Sequence, residues 1–147
     1  MSESLQELYT PDYFLDKPLD PKHFVQVSIW NEFFKPTKVL DVGCGTGHYV
    51  FSFNNFLEVD CYGCDLDFVI KINPYQEIEN KLQGCNITKL TYNDKQFDLV
   101  MCYDTLEHLE IPEMEKAIEE LARVSSKYVL ISVPSITDKN LYLDKTH

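Results

Sequence analysis

The stretch VLDVGCGTGHY, residues 39–49, constrains the fold of this chain more than any other. Glycines 43, 45 and 47 alternate along it directly after a short apolar run and an aspartate, Asp41. Glycine enters left-handed backbone at no steric cost and lets another molecule approach the main chain closely. An apolar strand, a glycine turn and then a helical pattern open a βαβ unit, and the same alternation recurs downstream. Asp20 and Pro21 start a helix whose apolar face, Phe24, Val27, Trp30, Phe33 and Phe34, runs until Pro36 stops it. KVLDV is the first strand and HYVFSFNNFL a short aromatic helix. LEVDCYGCDLD is a second strand ending in acids, and a weak third lies near LQGCNI, after a stretch interrupted by Pro74. FDLVMCYD is apolar almost throughout, as in a strand buried on both faces. Pro112 opens a helix with Ile111, Met114, Ile118 and Leu121 at three- and four-residue spacing, its glutamates mostly on the wet side, and SKYVLISVP is a fifth strand. Strands alternating with helices predict an α/β fold with a doubly wound parallel sheet, whose ligands bind past the carboxyl ends of the strands.

A chain of 147 residues fits a single domain, read here as 1–147 with residues 1–20 as an N-terminal arm turned by prolines 11, 18 and 21. No run approaches the roughly 20 apolar residues of a membrane span, and MSESLQELY lacks the pattern of a signal peptide, so a cytoplasmic location is expected. Five cysteines, an odd number set in or beside apolar runs, read as free buried thiols, and the Cys61–Cys64 pair overlaps a strand with no second pair to complete a zinc site. A net charge of −11 argues against a nucleic-acid partner and leaves a small molecule or another protein.

The residues after the glycines narrow the choice of ligand. A phosphate loop would need Lys and then Ser or Thr after Gly47, where this chain has His48 and Tyr49. A dinucleotide fingerprint would need a small residue at 48, where His48 obstructs a pyrophosphate, which weakens the nicotinamide-oxidoreductase reading. What remains is a tight GxGxG turn, preceded by Asp41 and followed by Asp65 at the end of the second strand. A carboxylate at 65 can accept both ribose hydroxyls of an adenosine, and a second acid at 41 suits a ligand with an ammonium group and net positive charge.

These residues resemble the class I S-adenosylmethionine-dependent methyltransferases of the small-molecule type. VLDVGCGTG is similar to their first motif, GCDLD at 63–67 to the acid of strand two, FDLVMCYDTLEHL at 97–109 to the strand-four block, and YVLISVP at 128–134 to strand five. The resemblance covers about residues 37–134 and implies a Rossmann-like sheet of about five strands in order 3-2-1-4-5, with the C-terminal strands of the family missing. It implies S-adenosylmethionine as cofactor and O- or N-methylation of a small-molecule acceptor. By resemblance Gly43, Gly45 and Gly47, with the small Cys44 between them, line the methionine and ribose. Asp41 organises the turn and the amino group, Asp65 takes the ribose hydroxyls, and Leu66 packs on adenine. Asn86 and Ile87 stand beside the adenine, with Asn86 in place of the acid often found there, and Cys102 and Tyr103 flank the sulfonium.

Methyl transfer from a sulfonium asks mainly for alignment, water exclusion and, for hydroxyl or amine acceptors, loss of a proton. His108 is the candidate base, beside the plainer reading of a structural residue at a helix start, and His48 is placed on a helix surface. Asp104 reads as a helix cap. No metal is assigned, although Asp104, Glu107 and His108 form D-x-x-E-H, similar to the E-x-x-E-H of quinone-biosynthesis O-methyltransferases, and would converge on a divalent ion if a helical turn opens at 107. The family pattern continues past strand five where this chain stops at LYLDKTH, so an exposed sheet edge and a homodimer through it are expected. The alternative to an active enzyme is a silent cofactor-binding or partner-binding module of the same descent.

Overall fold

Parallel pairing on both sides of the first strand sets the architecture. A computed structural model of the protein describes residues 19–134. Helix α1 (Pro21–Phe34) leads into β1 (Lys38–Val42), α2 (His48–Phe56), β2 (Asp60–Asp65) and the one-turn α3 (Asp67–Ile70). A 3₁₀ segment (Gln76–Lys81) precedes β3 (Leu82–Gly84), and β4 (Phe97–Tyr103), a 3₁₀ turn (Leu106–His108), α4 (Ile111–Val124) and β5 (Ser125–Ser132) complete the order. The strands form one five-stranded sheet in order β3-β2-β1-β4-β5, every pair parallel, as the sequence implies. The N-terminal arm up to residue 18 and the tail after 134 lie outside the described residues. Among the described residues no helix is long and apolar enough to cross a membrane.

Alternation along the strands sorts the core into two layers. Leu40, Val42, Val100 and Cys102 face α4, while Val39, Leu99 and Met101 face α1 and α2. Every residue of β4 from Phe97 to Cys102 is buried, which is why that strand reads as apolar apart from Asp98. Local chemistry sets the helix ends as expected. Asp20 accepts from the Lys22 N–H at 2.8 Å, and Pro21 occupies the first turn of α1. Asp98 ties the sheet to the segment after α1: it accepts from Thr37 N–H, Thr37 O–H and Lys38 N–H, each at 2.9 Å.

Two helix faces differ from the sequence reading. In α1 only Val27 and Trp30 are buried, whereas Phe24 and Phe33 stand 42% and 79% exposed. In α4 the buried stripe is Ala117, Leu121 and Val124, with Met114 half-buried, while Ile111 and Ile118 point outward. The packed stripe of α4 is rotated from the predicted one toward Ala117, which is fully buried in the core with Leu121 and Val124. Arg123 adds a clamp: its guanidinium donates to the Leu90 and Tyr92 carbonyls at 2.9 and 2.8 Å and to Glu120 and Asp94, holding the loop before β4.

Leu121→Ala should therefore cost about 2–5 kcal/mol of unfolding free energy. Ile118→Ala should stay within about 1 kcal/mol. Urea unfolding followed by circular dichroism reads the difference, and equal costs would refute the assigned face.

Candidate functional site

The glycine turn leaves the carboxyl end of β1 and is bound to the end of β2. Gly43 and Cys44 donate to the Cys64 carbonyl at 2.8 and 3.2 Å, and Gly47 donates to the Cys44 carbonyl at 2.9 Å. Gly43, Gly45 and Gly47 take φ of 77°, 55° and 85°, the left-handed region in which a Cβ is strained. Two of them are also hemmed in by protein. A Cβ on Gly43 would fall on the Thr105 side chain, and one on Gly47 would lie 2.8 Å from Ile78 Cδ1. The bareness expected for ligand approach is thus required by backbone and packing at 43 and 47, a constraint hidden from the sequence because Thr105 and Ile78 are distant in it. Cys44 is buried in the α1–α2 layer.

Asp65 ends β2 with both carboxylate oxygens on main chain: Oδ2 accepts from Gly45 N–H at 2.8 Å and Oδ1 from Leu66 N–H at 2.7 Å. Burial pushes its pKa up against the pull of these two bonds. Asp41 is more deeply enclosed. It is 1% exposed, lies in register between Gly63 and Met101, and its Oδ2 has no hydrogen-bond partner among the described residues. Burial, reinforced by the charge of Asp65, raises the Asp41 pKa to about 7. A buried carboxylate oxygen without a partner, beside the glycine turn, fits the ammonium end of a cationic ligand.

The remaining sequence candidates fall in different places. Leu66 and Ile87 are half-buried, and Ile87 packs against the α4-side core. Asn86 is exposed, and its Oδ1 accepts from Thr88 N–H and O–H at 2.9 and 2.8 Å, closing a local turn that consumes the acceptor expected to meet adenine. Cys102 is fully buried on the α4 side of the sheet, so strand alternation turns it away from the face on which Tyr103 stands. Asp104 does not cap a helix. It has φ of 50° and accepts from Ser132 O–H at 3.2 Å on the neighbouring strand. Glu107 Oε1 lies 3.9 Å from His108 Nε2, and among the described residues, Asp104, Glu107 and His108 included, no three His, Cys, Asp or Glu side chains are arranged to hold a metal. His48 is half-buried rather than merely on a surface, with Nδ1 2.7 Å from the Tyr75 hydroxyl and its ring stacked on His23.

An aromatic layer over Tyr103 was not legible in the sequence. Trp30 and Gln26 from α1 meet Tyr49 from α2 and Tyr103 from β4, with ring centroids 5.1 Å (Trp30–Tyr49), 5.6 Å (Trp30–Tyr103) and 5.7 Å (Tyr49–Tyr103) apart. Tyr49 O–H donates to Gln26 Oε1 at 2.9 Å and Gln26 Nε2 to the Tyr103 hydroxyl at 2.8 Å. One amide accepts from one hydroxyl and donates to the other, so the Tyr103 hydroxyl keeps its own proton for a further acceptor. The signal available was Gln26 and Trp30 four residues apart on one helix face, but their partners come from two other elements.

Residues 40–130 match the family model described as a methyltransferase domain. The chain is 30% identical over 145 residues to mouse "Probable tRNA methyltransferase 9B", covering 92% of this chain and 30% of that protein. It is 30% identical over 114 residues to norajmaline N-methyltransferase of Rauvolfia serpentina, covering 73% of this chain and 38% of that one. The chain thus spans about a third of the length of these curated relatives. A SAM-dependent methyltransferase structure from Aquifex aeolicus superposes with a TM-score of 0.66 at 22% identity, covering 84% of this chain and 72% of that one, a likeness of fold.

The raised Asp41 pKa has a stability consequence. Protonated Asp41 is the form the fold favours, so its contribution is fully present below the ordinary carboxylate pKa and is lost as pH rises through about 7. Between pH 5 and pH 8 the parent chain should lose roughly 2–3 kcal/mol more than Asp41→Asn does. Thermal or urea unfolding across that range measures it, and parallel pH profiles would refute the assignment.

Proposed function

The chain belongs to the methyltransferase domain family, and on that premise we propose that it binds S-adenosylmethionine at the carboxyl ends of β1 and β2 and methylates a small-molecule acceptor at oxygen or nitrogen. The observation that carries the reading is the Asp41 carboxylate, buried with an unpartnered oxygen next to the glycine turn that Asp65 holds.

The cofactor, when bound, supplies a methyl carbon on a sulfonium, a leaving group that needs no protonation. The tasks left to the chain are those of binding and orientation. Asp41 receives the ammonium. Asp65 accepts one backbone N–H on each oxygen, and a carboxylate has about four lone-pair sites, so two remain for the ribose hydroxyls. Gly45 offers main chain to the ligand, while Gly43, Cys44 and Gly47 act by shaping the turn. Leu66 and Ile87 give the adenine an apolar bed, and Asn86 keeps its amide N–H groups to donate at the ring edge. Tyr103, at the end of β4 on the face of Asp41, borders the methyl-donor side with its O–H. His108, exposed beyond β4 beside Glu107, is the candidate for removing an acceptor proton, with Glu107 placed to stabilise the imidazolium.

A net charge of −11 supports a small acceptor over a polyanion, although several relatives are named for tRNA. The apolar edge at β5, where Tyr128, Val129 and Ile131 are exposed, supports pairing of two copies there.

Calorimetric titration should show S-adenosylhomocysteine binding and no NAD binding. Asp65→Ala should weaken the former by about one to two powers of ten, and Gly45→Leu should abolish it. Failure of the parent chain to bind would sink the cofactor reading. With radiolabelled S-adenosylmethionine, label is expected in the small-molecule fraction of a cell extract. Label confined to a tRNA pool would overturn the acceptor class.

A further inference from the structure

We propose that at pH below neutral Asp41 is protonated in the ligand-free chain and ionises when the ammonium of a ligand enters beside it, so that binding at the glycine turn then releases one proton to solvent. This rests on the cofactor reading above and adds a property of the same site: affinity coupled to pH through a buried acid.

Among the described residues, the surroundings of Asp41 leave its charge without a counter-ion. Its register neighbours are Gly63 on β2 and Met101 on β4, neither of which can donate a side-chain hydrogen bond to it. The titratable groups around it are Asp65 and Cys61 from β2, Cys44 from the turn, Tyr49 from α2 and Cys102 from β4, each of which ionises to an anion. Beyond Tyr49 stands His23 on α1, edge-on to the Tyr49 ring at 5.3 Å, stacked on His48 at 4.9 Å and pushed below its ordinary pKa by burial, with His48 in turn bonded to Tyr75. An isolated buried carboxylate sheds its charge by taking up a proton rather than bear the desolvation cost.

Asp41 and Asp65 are not equivalent partners. Both Asp65 oxygens already accept main-chain N–H bonds, which favour its charged form, whereas Asp41 Oδ2 has no such bond among the described residues. The pair therefore carries its one charge on Asp65 and its one proton on Asp41. Entry of an ammonium reverses the balance at Asp41. Its O–H bond breaks, the proton leaves to solvent, and a desolvated ammonium–carboxylate pair forms in its place; no covalent bond is made and nothing is oxidised or reduced. Adenosine, which lacks the aliphatic ammonium, gains nothing from this exchange.

Calorimetry with S-adenosylhomocysteine at pH 6 and pH 8, each in two buffers of different ionisation enthalpy, counts the protons transferred. Close to one proton per ligand is expected at pH 6 and few at pH 8, with affinity about ten-fold weaker at pH 6. Adenosine should bind with no transfer at either pH. S-adenosylhomocysteine binding without proton release at pH 6 would overturn the proposal and leave the cofactor reading standing. No binding at either pH would overturn the cofactor reading itself. A second measurement does not depend on binding by a variant. In the ligand-free chain labelled with carbon-13 aspartate, the carboxyl resonance lost in Asp41→Asn should titrate near pH 7, and its ionisation already at pH 5 would refute the proposal.

Discussion

The carboxylate of Asp65 holds the site together. It receives the Gly45 and Leu66 N–H groups at 2.8 and 2.7 Å, so one side chain fixes both the crest of the glycine turn and the exit from β2. Three left-handed residues in five would otherwise leave a floppy connection, because glycine loses the most conformational freedom on ordering. Further ties hold the turn, from Gly43 and Cys44 to the Cys64 carbonyl. The turn can rest on β2 in this way because β1 and β2 pair in parallel with Val42 opposite Cys64, bringing the two strand ends level.

Sheet alternation then decides what the turn looks out on. Asp41, Met101 and Tyr103 share the face covered by α1 and α2, and Cys102 belongs to the other. The acid that suits a cation and the hydroxyl with a spare proton thus stand on one side of one sheet, two strand positions apart. Helix α1 covers that side through Gln26 and Trp30, linking a segment that precedes the first strand to the end of the fourth. Burial pushes the Tyr49 hydroxyl well above its ordinary pKa, so it serves as a neutral donor to Gln26 rather than as a base.

The loop after β4 shows how one backbone angle redirects a side chain. With φ of 50°, Asp104 accepts from Ser132 on β5 and caps no helix, although D-x-x-E-H places it within five residues of Glu107 and His108. Sequence proximity sets an upper limit on separation but not a direction.

Strand periods, the GxGxG turn, the Asp20–Pro21 helix start and the spacing of Asp65 were all readable from the residues, because each is a local preference of backbone or side chain. Together with the family resemblance they were enough for the parallel sheet and its order, and for placing Asp41, Gly45 and Asp65 at one end of it. What the sequence could not carry were contacts between distant segments. Examples are Thr105 filling the space beside Gly43, the Gln26–Tyr49–Tyr103 relay, and the rotation of α4 onto Ala117 and Leu121. The charge state favoured at Asp41 belongs with them. An aspartate in a strand is written the same way whether it meets water or an enclosed space, and only the packing of β2, β4 and α2 around it removes the solvent that would have kept it ionised.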